Sequence, residues 1–171
     1  MPAVALIDLD GTLCDHDKAL QRDLTKIASP GYLPSQTFDP NLPDYMEERI
    51  NLIRRQPGWW LNLERIESGF AMFDLLRKLG FCLHILSKGP SSKSLAWKEK
   101  VDWVRINVPD AHITLTEDKS LVYGKVLFDD YPPYAERWLK WCPRGLVIMP
   151  EHNYNRDFSH PNVVEYSGII E

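Results

Sequence analysis

Residues Val4 to Thr12, Val-Ala-Leu-Ile-Asp-Leu-Asp-Gly-Thr, constrain this chain more than any other stretch. Four apolar residues run straight into two carboxylates two positions apart, followed by Gly and Thr. Such a run, closed by a turn signal, predicts a buried strand whose C-terminal end opens into a tight turn. Residues i and i+2 of a strand share a face, so Asp8 and Asp10 can approach one small volume. Crowded carboxylates repel each other, and a divalent cation or a shared proton would relieve them. Gly11 lets the backbone turn close to a ligand, and Thr12 adds a hydroxyl beside exposed amide donors. The plainer alternative is a strand end with an Asx turn, in which the aspartates satisfy only loop amides.

The rest of the chain alternates in a way that gives this strand neighbours. Asp17 to Ile27 has apolar residues at 20, 24 and 27, a helical spacing. Ser29 to Pro43 carries prolines at 30, 34, 40 and 43, which predicts a long loop of the kind used as a lid or access segment. A second helix is expected from Asp44 to about Arg55, stopped by Pro57-Gly58. Ile66 to Leu79 is the clearest helix, with Gly80 at its C-terminal cap. Then come a strand over Phe81 to Leu86 ending in Ser87-Lys88-Gly89-Pro90, a helix over Ser94 to Asn107, and a strand over Ala111 to Leu115. Lys125 to Phe128 predicts a strand ending in Asp129-Asp130, Tyr134 to Trp141 a helix, and Gly145 to Met149 a strand. From Pro150 the tail is polar and irregular, with one edge strand near Val163.

Strand and helix in alternation predict an α/β fold, a doubly wound parallel sheet with helices on both faces. Residues 1–14 and 66–171 are expected to form the core domain, and 15–65 a small helical cap inserted after the first strand. Ligands of such sheets bind at the carboxyl ends of the strands. Asp8, Asp10, Ser87, Asp129 and Asp130 all fall there. At 171 residues the chain suits one domain. Its net charge of −4 disfavours a general nucleic-acid binder. Cys14, Cys82 and Cys142 are widely spaced, without zinc-type pairing, and read as reduced thiols of a cytoplasmic protein, with Cys82 in the core. No signal peptide or membrane span is expected.

Asp8-x-Asp10-Gly11-Thr12 after an apolar strand resembles the first motif of the haloacid dehalogenase-like (HAD) phosphatases. That resemblance implies Asp8 as nucleophile toward phosphorus and Asp10 as general acid/base. Ser87 after His-Ile-Leu stands where the second motif would be, its hydroxyl and the amides of Lys88 or Gly89 available to a phosphate oxygen. A third-motif lysine could be Lys93, Lys98 or Lys100. Lys100 is preferred, because Lys100-Val-Asp-Trp103-Val104 matches a family segment, and it would offset the charge between Asp8 and the phosphate. Asp129-Asp130 is the fourth motif. Adjacent strand residues point oppositely, so one carboxylate should reach a metal and the other a loop or a lysine. Asp8, Asp10, Asp129 and Asp130 are thus the candidate metal ligands, and hard oxygens suit Mg²⁺. His16, His84, His112, His152 and His160 show no ligand spacing, which disfavours zinc.

More closely, the chain resembles the 5'(3')-deoxyribonucleotidase family. Gln56-Pro-Gly-Trp-Trp-Leu-Asn-Leu63, Lys100-Val-Asp-Trp-Val104, Leu115-Thr-Glu-Asp-Lys119 and Leu127-Phe-Asp-Asp130 carry the likeness. It implies that Trp59 and Trp60 form a slot for the nucleoside, with Thr12, Lys88, Gly89 and Lys119 around the phosphate. Packing of both tryptophans between cap and core is the alternative. Two departures bear on substrate choice: Glu117 replaces a common Arg, and Lys88 a small residue. The expected function is Mg²⁺-dependent hydrolysis of (deoxy)nucleoside 5'-monophosphates through an aspartyl-phosphate. The rivals are a HAD phosphatase for another small ester, such as a sugar phosphate or nucleic-acid end, and a non-catalytic phospholigand-binding protein. Expected partners are the small phosphate ester alone, with no membrane, nucleic acid disfavoured, and a homodimer possible.

Overall fold

The computed structural model describes residues 2–28, 43–90 and 94–169. Lys93, and all of the proline-bearing stretch except Pro43, lie outside these described residues. Six strands form one sheet: β1 (Val4–Ile7), β2 (Cys82–Lys88), β3 (His112–Thr116), β4 (Val126–Phe128), β5 (Leu146–Pro150) and β6 (Val163–Tyr166). Their spatial order is β3-β2-β1-β4-β5-β6, and every neighbouring pair is parallel. The helices are α1 (His16–Lys26), α2 (Asp44–Arg54), α3 (Glu67–Lys78), α4 (Ser94–Asn107) and α5 (Pro132–Trp141). This is the doubly wound α/β sheet that the alternation predicts.

The strands read as apolar runs because both faces of the sheet are covered. Period-two alternation still sorts their side chains. Ala5, Ile7, Ile85 and Phe128 join Phe73 and Leu76 of α3 and Trp103 and Val104 of α4 in one core. Leu6, Leu86, Leu127 and Val147 join Ala135, Trp138 and Leu139 of α5 in the other. Both buried tryptophans satisfy their indole N–H on backbone carbonyls, Trp103 on Leu63 and Trp138 on Val122, each at 2.9 Å. Cys82 is only partly buried, while Cys14 and Cys142 are buried, and all three are free thiols. The last helix starts at Pro132 rather than Tyr134, since a proline in the first helical turn forfeits no hydrogen bond.

β1 sits where the winding reverses. From it the chain moves outward through β2 to β3, then returns to β1's other side with β4. A crevice opens at such a switch point outside the strand ends, here between β1 and β4. Into the β1–α3 connection the chain inserts α1 and α2. It leaves and returns through two segments that lie antiparallel, with Asp15 N bonded to Glu64 O and Ile66 N to Leu13 O, both at 2.8 Å. Among the described residues, no helix is long and apolar enough to cross a membrane.

Gly69 explains how closely α3 approaches the loop after β1: a Cβ there would collide with the Thr12 carbonyl. Gly69→Ala should therefore destabilise the fold by about 1–3 kcal/mol through overpacking, although alanine favours helix. Denaturant unfolding measures this, and a variant as stable as the parent would contradict the close approach.

Candidate active site

Two lysines organise the strand ends. Lys119 lies on a single 3₁₀ turn after β3, where Asp118 accepts the Ser120 N–H at 3.0 Å and fixes the turn. Its Nζ stands 2.7 Å from Asp8 Oδ1, just beyond β1, and 2.7 Å from Asp129 Oδ2, just beyond β4. Asp8 and Lys119 are only 4% and 3% exposed. Lys100 reaches in from α4 and donates to Asp10 Oδ2 at 2.6 Å, Lys88 O at 2.8 Å and Ser87 Oγ at 3.2 Å. The lysine on Asp8 is Lys119, carried there by the β3 end, and Lys100 is held by Asp10. Lys98, by contrast, pairs with Asp102 on the exposed face of α4.

The adjacent aspartates separate as alternation requires. Asp129 gives Oδ2 to Lys119 and accepts the Tyr131 N–H on Oδ1 at 3.0 Å. Asp130 accepts the Thr12 hydroxyl on Oδ1 at 3.4 Å and the Tyr154 hydroxyl on Oδ2. Oxygens of Asp8, Asp129 and Asp130 lie within 4.8 Å of one another. Asp10 is outside this group. Its carboxylate is paired with Lys100 instead.

Charge is unevenly shared. Burial works against the Lys119 ammonium, but Asp129 and Asp8 outweigh it and hold its pKa above the ordinary value. One ammonium cannot serve three carboxylates. Burial pushes the Asp8 carboxyl up to about 7, against the pull of Lys119 and with a further push from Asp129. Asp130 is raised well above the carboxylate range by burial and by the charges of Asp8 and Asp129. Asp10 goes the other way: burial would raise it, yet Lys100 and the neighbouring cations bring it below its ordinary value. Among the described residues no cationic side chain pairs with Asp130. Hard carboxylate oxygens, one of them uncompensated, suit a small divalent cation.

Above the acids lies a cavity of about 540 Å³, within the size range of small-molecule sites. Asp8, Asp10, Asp130, Lys88, Lys100 and Lys119 line its charged end, and Tyr131 and Tyr134 one wall. The inserted segment supplies Glu47, Asn51 and Arg54 from α2 and Arg55 just after it, together with His16 and Trp60. Trp60 is seated by α4: the buried Glu99 carboxylate accepts the N–H groups of Gly58 at 2.6 Å and Trp60 at 3.1 Å. The Lys100 ammonium stands 4.7 Å from the Trp60 ring.

Four expected contacts do not line this cavity. Trp59 packs edge-on to Trp60 and His16 and donates its indole N–H to Asp23 at 3.0 Å, which ties it to α1. Thr12 is fully buried on Asp130, and Gly89 is pressed against the Trp97 ring. Ser87 is buried behind Lys100. Glu117 flanks a small separate recess with Lys88 and Arg137. Sequence reasoning missed His16, Arg54, Arg55, Tyr131, Tyr134 and Tyr154. Only Tyr131, directly after Asp129-Asp130, carried a positional signal.

The family model described as "5' nucleotidase, deoxy (Pyrimidine), cytosolic type C protein" matches residues 2–165. A Bordetella bronchiseptica protein provisionally named 5'(3')-deoxyribonucleotidase is 30% identical over 164 residues, covering 89% of this chain and 85% of that one. The fold is similar to a candidate haloacid dehalogenase-like hydrolase of Burkholderia xenovorans (TM-score 0.58, 14% identity, 96% and 94% of the two chains). It is also similar to a haloacid dehalogenase-like family hydrolase of Xanthomonas campestris (TM-score 0.54, 14% identity, 98% and 92%). With a family match running from the strand before Asp8 to the last strand of the sheet, this chain belongs to the type C deoxy-pyrimidine 5'-nucleotidase family, and is a phosphoric monoester hydrolase of the 5'-nucleotidase type on a HAD-like fold.

Proposed function

We propose that the protein is a Mg²⁺-dependent phosphatase of (deoxy)nucleoside 5'-monophosphates working through an aspartyl-phosphate on Asp8, with residues 15–65 acting as its cap. One observation carries this: Asp8, paired with buried Lys119 and close to Asp130, lines a cavity that Trp60, Tyr131 and Tyr134 also line. Asp8 and Asp130 are the residues that would hold Mg²⁺, with Asp129 kept beside them by Lys119 and Tyr131. The ion, when bound, supplies positive charge that neutralises the acids and the phosphate oxygens facing them.

The chain's own groups then divide the work. Lys119 pulls Asp8 toward its ionised form against burial and holds it in place, and with the ion's charge added the carboxylate oxygen can attack phosphorus. The departing ester oxygen takes a proton from Asp10. At rest Lys100 holds Asp10 as a carboxylate, and an arriving phosphate dianion competes for that ammonium and raises the affinity of Asp10 for a proton. Asp10, left ionised, accepts a proton from the water that cleaves the aspartyl-phosphate. Water attack restores Asp8 and releases inorganic phosphate. Trp60, 5% exposed and packed edge-on to Trp59, is the tryptophan that lines the cavity and so the one that would meet a base. The free thiols fit a cytoplasmic enzyme.

Asp8→Asn should abolish phosphate release from nucleoside monophosphates while unfolding stays cooperative; a parental kcat would remove Asp8 as nucleophile. Asp10→Asn should slow turnover roughly 10²–10⁴-fold, the usual worth of a general acid/base, with substrate still bound. The two tryptophans should behave differently. Trp60→Ala should raise KM for nucleotides more than for an aryl phosphate, whereas Trp59→Ala should chiefly lower stability. Steady-state kinetics on both substrates would show it, and equal effects on both would place Trp60 outside the slot.

Metal dependence should vary with pH. An unfolded aspartate has lost its proton above about pH 4, while Asp8 in the metal-free fold holds one to about 7. The folded state then binds more protons than the unfolded one, so this group costs stability as pH rises through that window. Mg²⁺ relieves the cost by replacing the proton. Its addition to EDTA-treated protein should raise the unfolding midpoint more at about pH 8 than at about pH 5. Equal shifts at both would contradict the assignment.

A further inference from the structure

The segment that follows β5, within the polar tail, turns back over the strand ends and grips both acidic loops. Asn155, only 5% exposed, donates its side-chain amide to Asp130 O at 2.8 Å and to Pro150 O at 2.9 Å. Its own Oδ1 accepts the His152 N–H at 2.8 Å. His152 Nε2 lies 2.7 Å from Gly11 O, and since a carbonyl only accepts, that nitrogen carries the proton. The His152 and Tyr154 rings stack at 5.0 Å with 5° between their planes. Stacked and anchored in this way, the Tyr154 hydroxyl donates to Asp130 Oδ2. Gly11 makes the approach feasible: at φ 76° it places no side chain here, and a Cβ would strike Asp130 Oδ2 and come within 3.1 Å of the Tyr154 oxygen.

Among the described residues Asp130 is held by the neutral hydroxyls of Thr12 and Tyr154, whereas Asp8 and Asp129 share Lys119 and Asp10 has Lys100. A carboxylate oxygen has two lone pairs, so one hydroxyl bond orients Oδ2 without exhausting it. A Tyr donor fixes direction and adds no competing positive charge. We propose that Tyr154 is a positioning residue for the divalent-cation site: its hydroxyl sets the Asp130 carboxylate in the orientation in which it and Asp8 face one ion, and so sets the affinity for that ion. The proposal rests on the Mg²⁺ reading above.

Tyr154→Phe tests it by deleting a single oxygen while keeping the stack on His152. Calorimetric titration of Mg²⁺ into substrate-free protein should show binding weakened roughly 10–100-fold, the usual effect of losing a partner behind a metal ligand. The Mg²⁺ concentration giving half the maximal rise in unfolding midpoint should move by the same factor. At saturating Mg²⁺, kcat and the nucleotide KM should return close to the parent values. A variant that binds Mg²⁺ as tightly as the parent overturns the proposal. So does one whose stability falls equally with and without Mg²⁺ at unchanged affinity, which would make Tyr154 a loop anchor. A parent protein that binds no Mg²⁺ overturns instead the metal reading beneath it.

Discussion

The ammonium of Lys119, shared at 2.7 Å by Asp8 and Asp129, is the interaction on which the site depends. Three carboxylates converge there because the ends of β1 and β4 abut at the switch point of the sheet. Two charges cannot be buried so close without an opposite one, and removing one partner of a buried pair typically costs about 3–5 kcal/mol. Lys119 neutralises one of the three charges and leaves two without an opposite. Burial and that deficit together raise the proton affinity of Asp8 and Asp130, and the deficit is what a divalent ion would fill. The site is thus held together by an incomplete neutralisation, and the incompleteness is the feature that chemistry can use.

Much of the fold could be read from the chain because its signals are local. Apolar runs broken at Ser87 and at Asp129-Asp130 mark β2 and β4, and the spacing from Ile66 to Leu79 marks α3. The aspartates were legible for the same reason, each standing at a strand end. The lysines were less so. Lys100 and Lys119 both follow the second motif, and only the paths of α4 and of the turn after β3 decide which meets Asp8. Trp59 and Trp60 look alike in sequence, yet one turns to Asp23 and the other to the cavity. Tyr154 and His152 were illegible. They sit in a polar stretch without periodicity, and their partners Asp130 and Gly11 are distant in sequence.

Two of the motifs that resemble a nucleotidase prove to be one physical unit. Glu99 and Trp103 of α4 bond the backbone of residues 58–63, so the helix that presents Lys100 to Asp10 also seats Trp60. Neighbouring residues on α4 therefore fix two different parts of the cavity lining, Lys100 holding Asp10 and Glu99 holding the backbone of Trp60. A rotation or slide of that helix changes both together. The Trp60 indole N–H is in turn held by Arg54 O at 3.0 Å, so the end of α2 is tied into the same unit, and a substitution that shifts either helix is felt on both sides of the cavity.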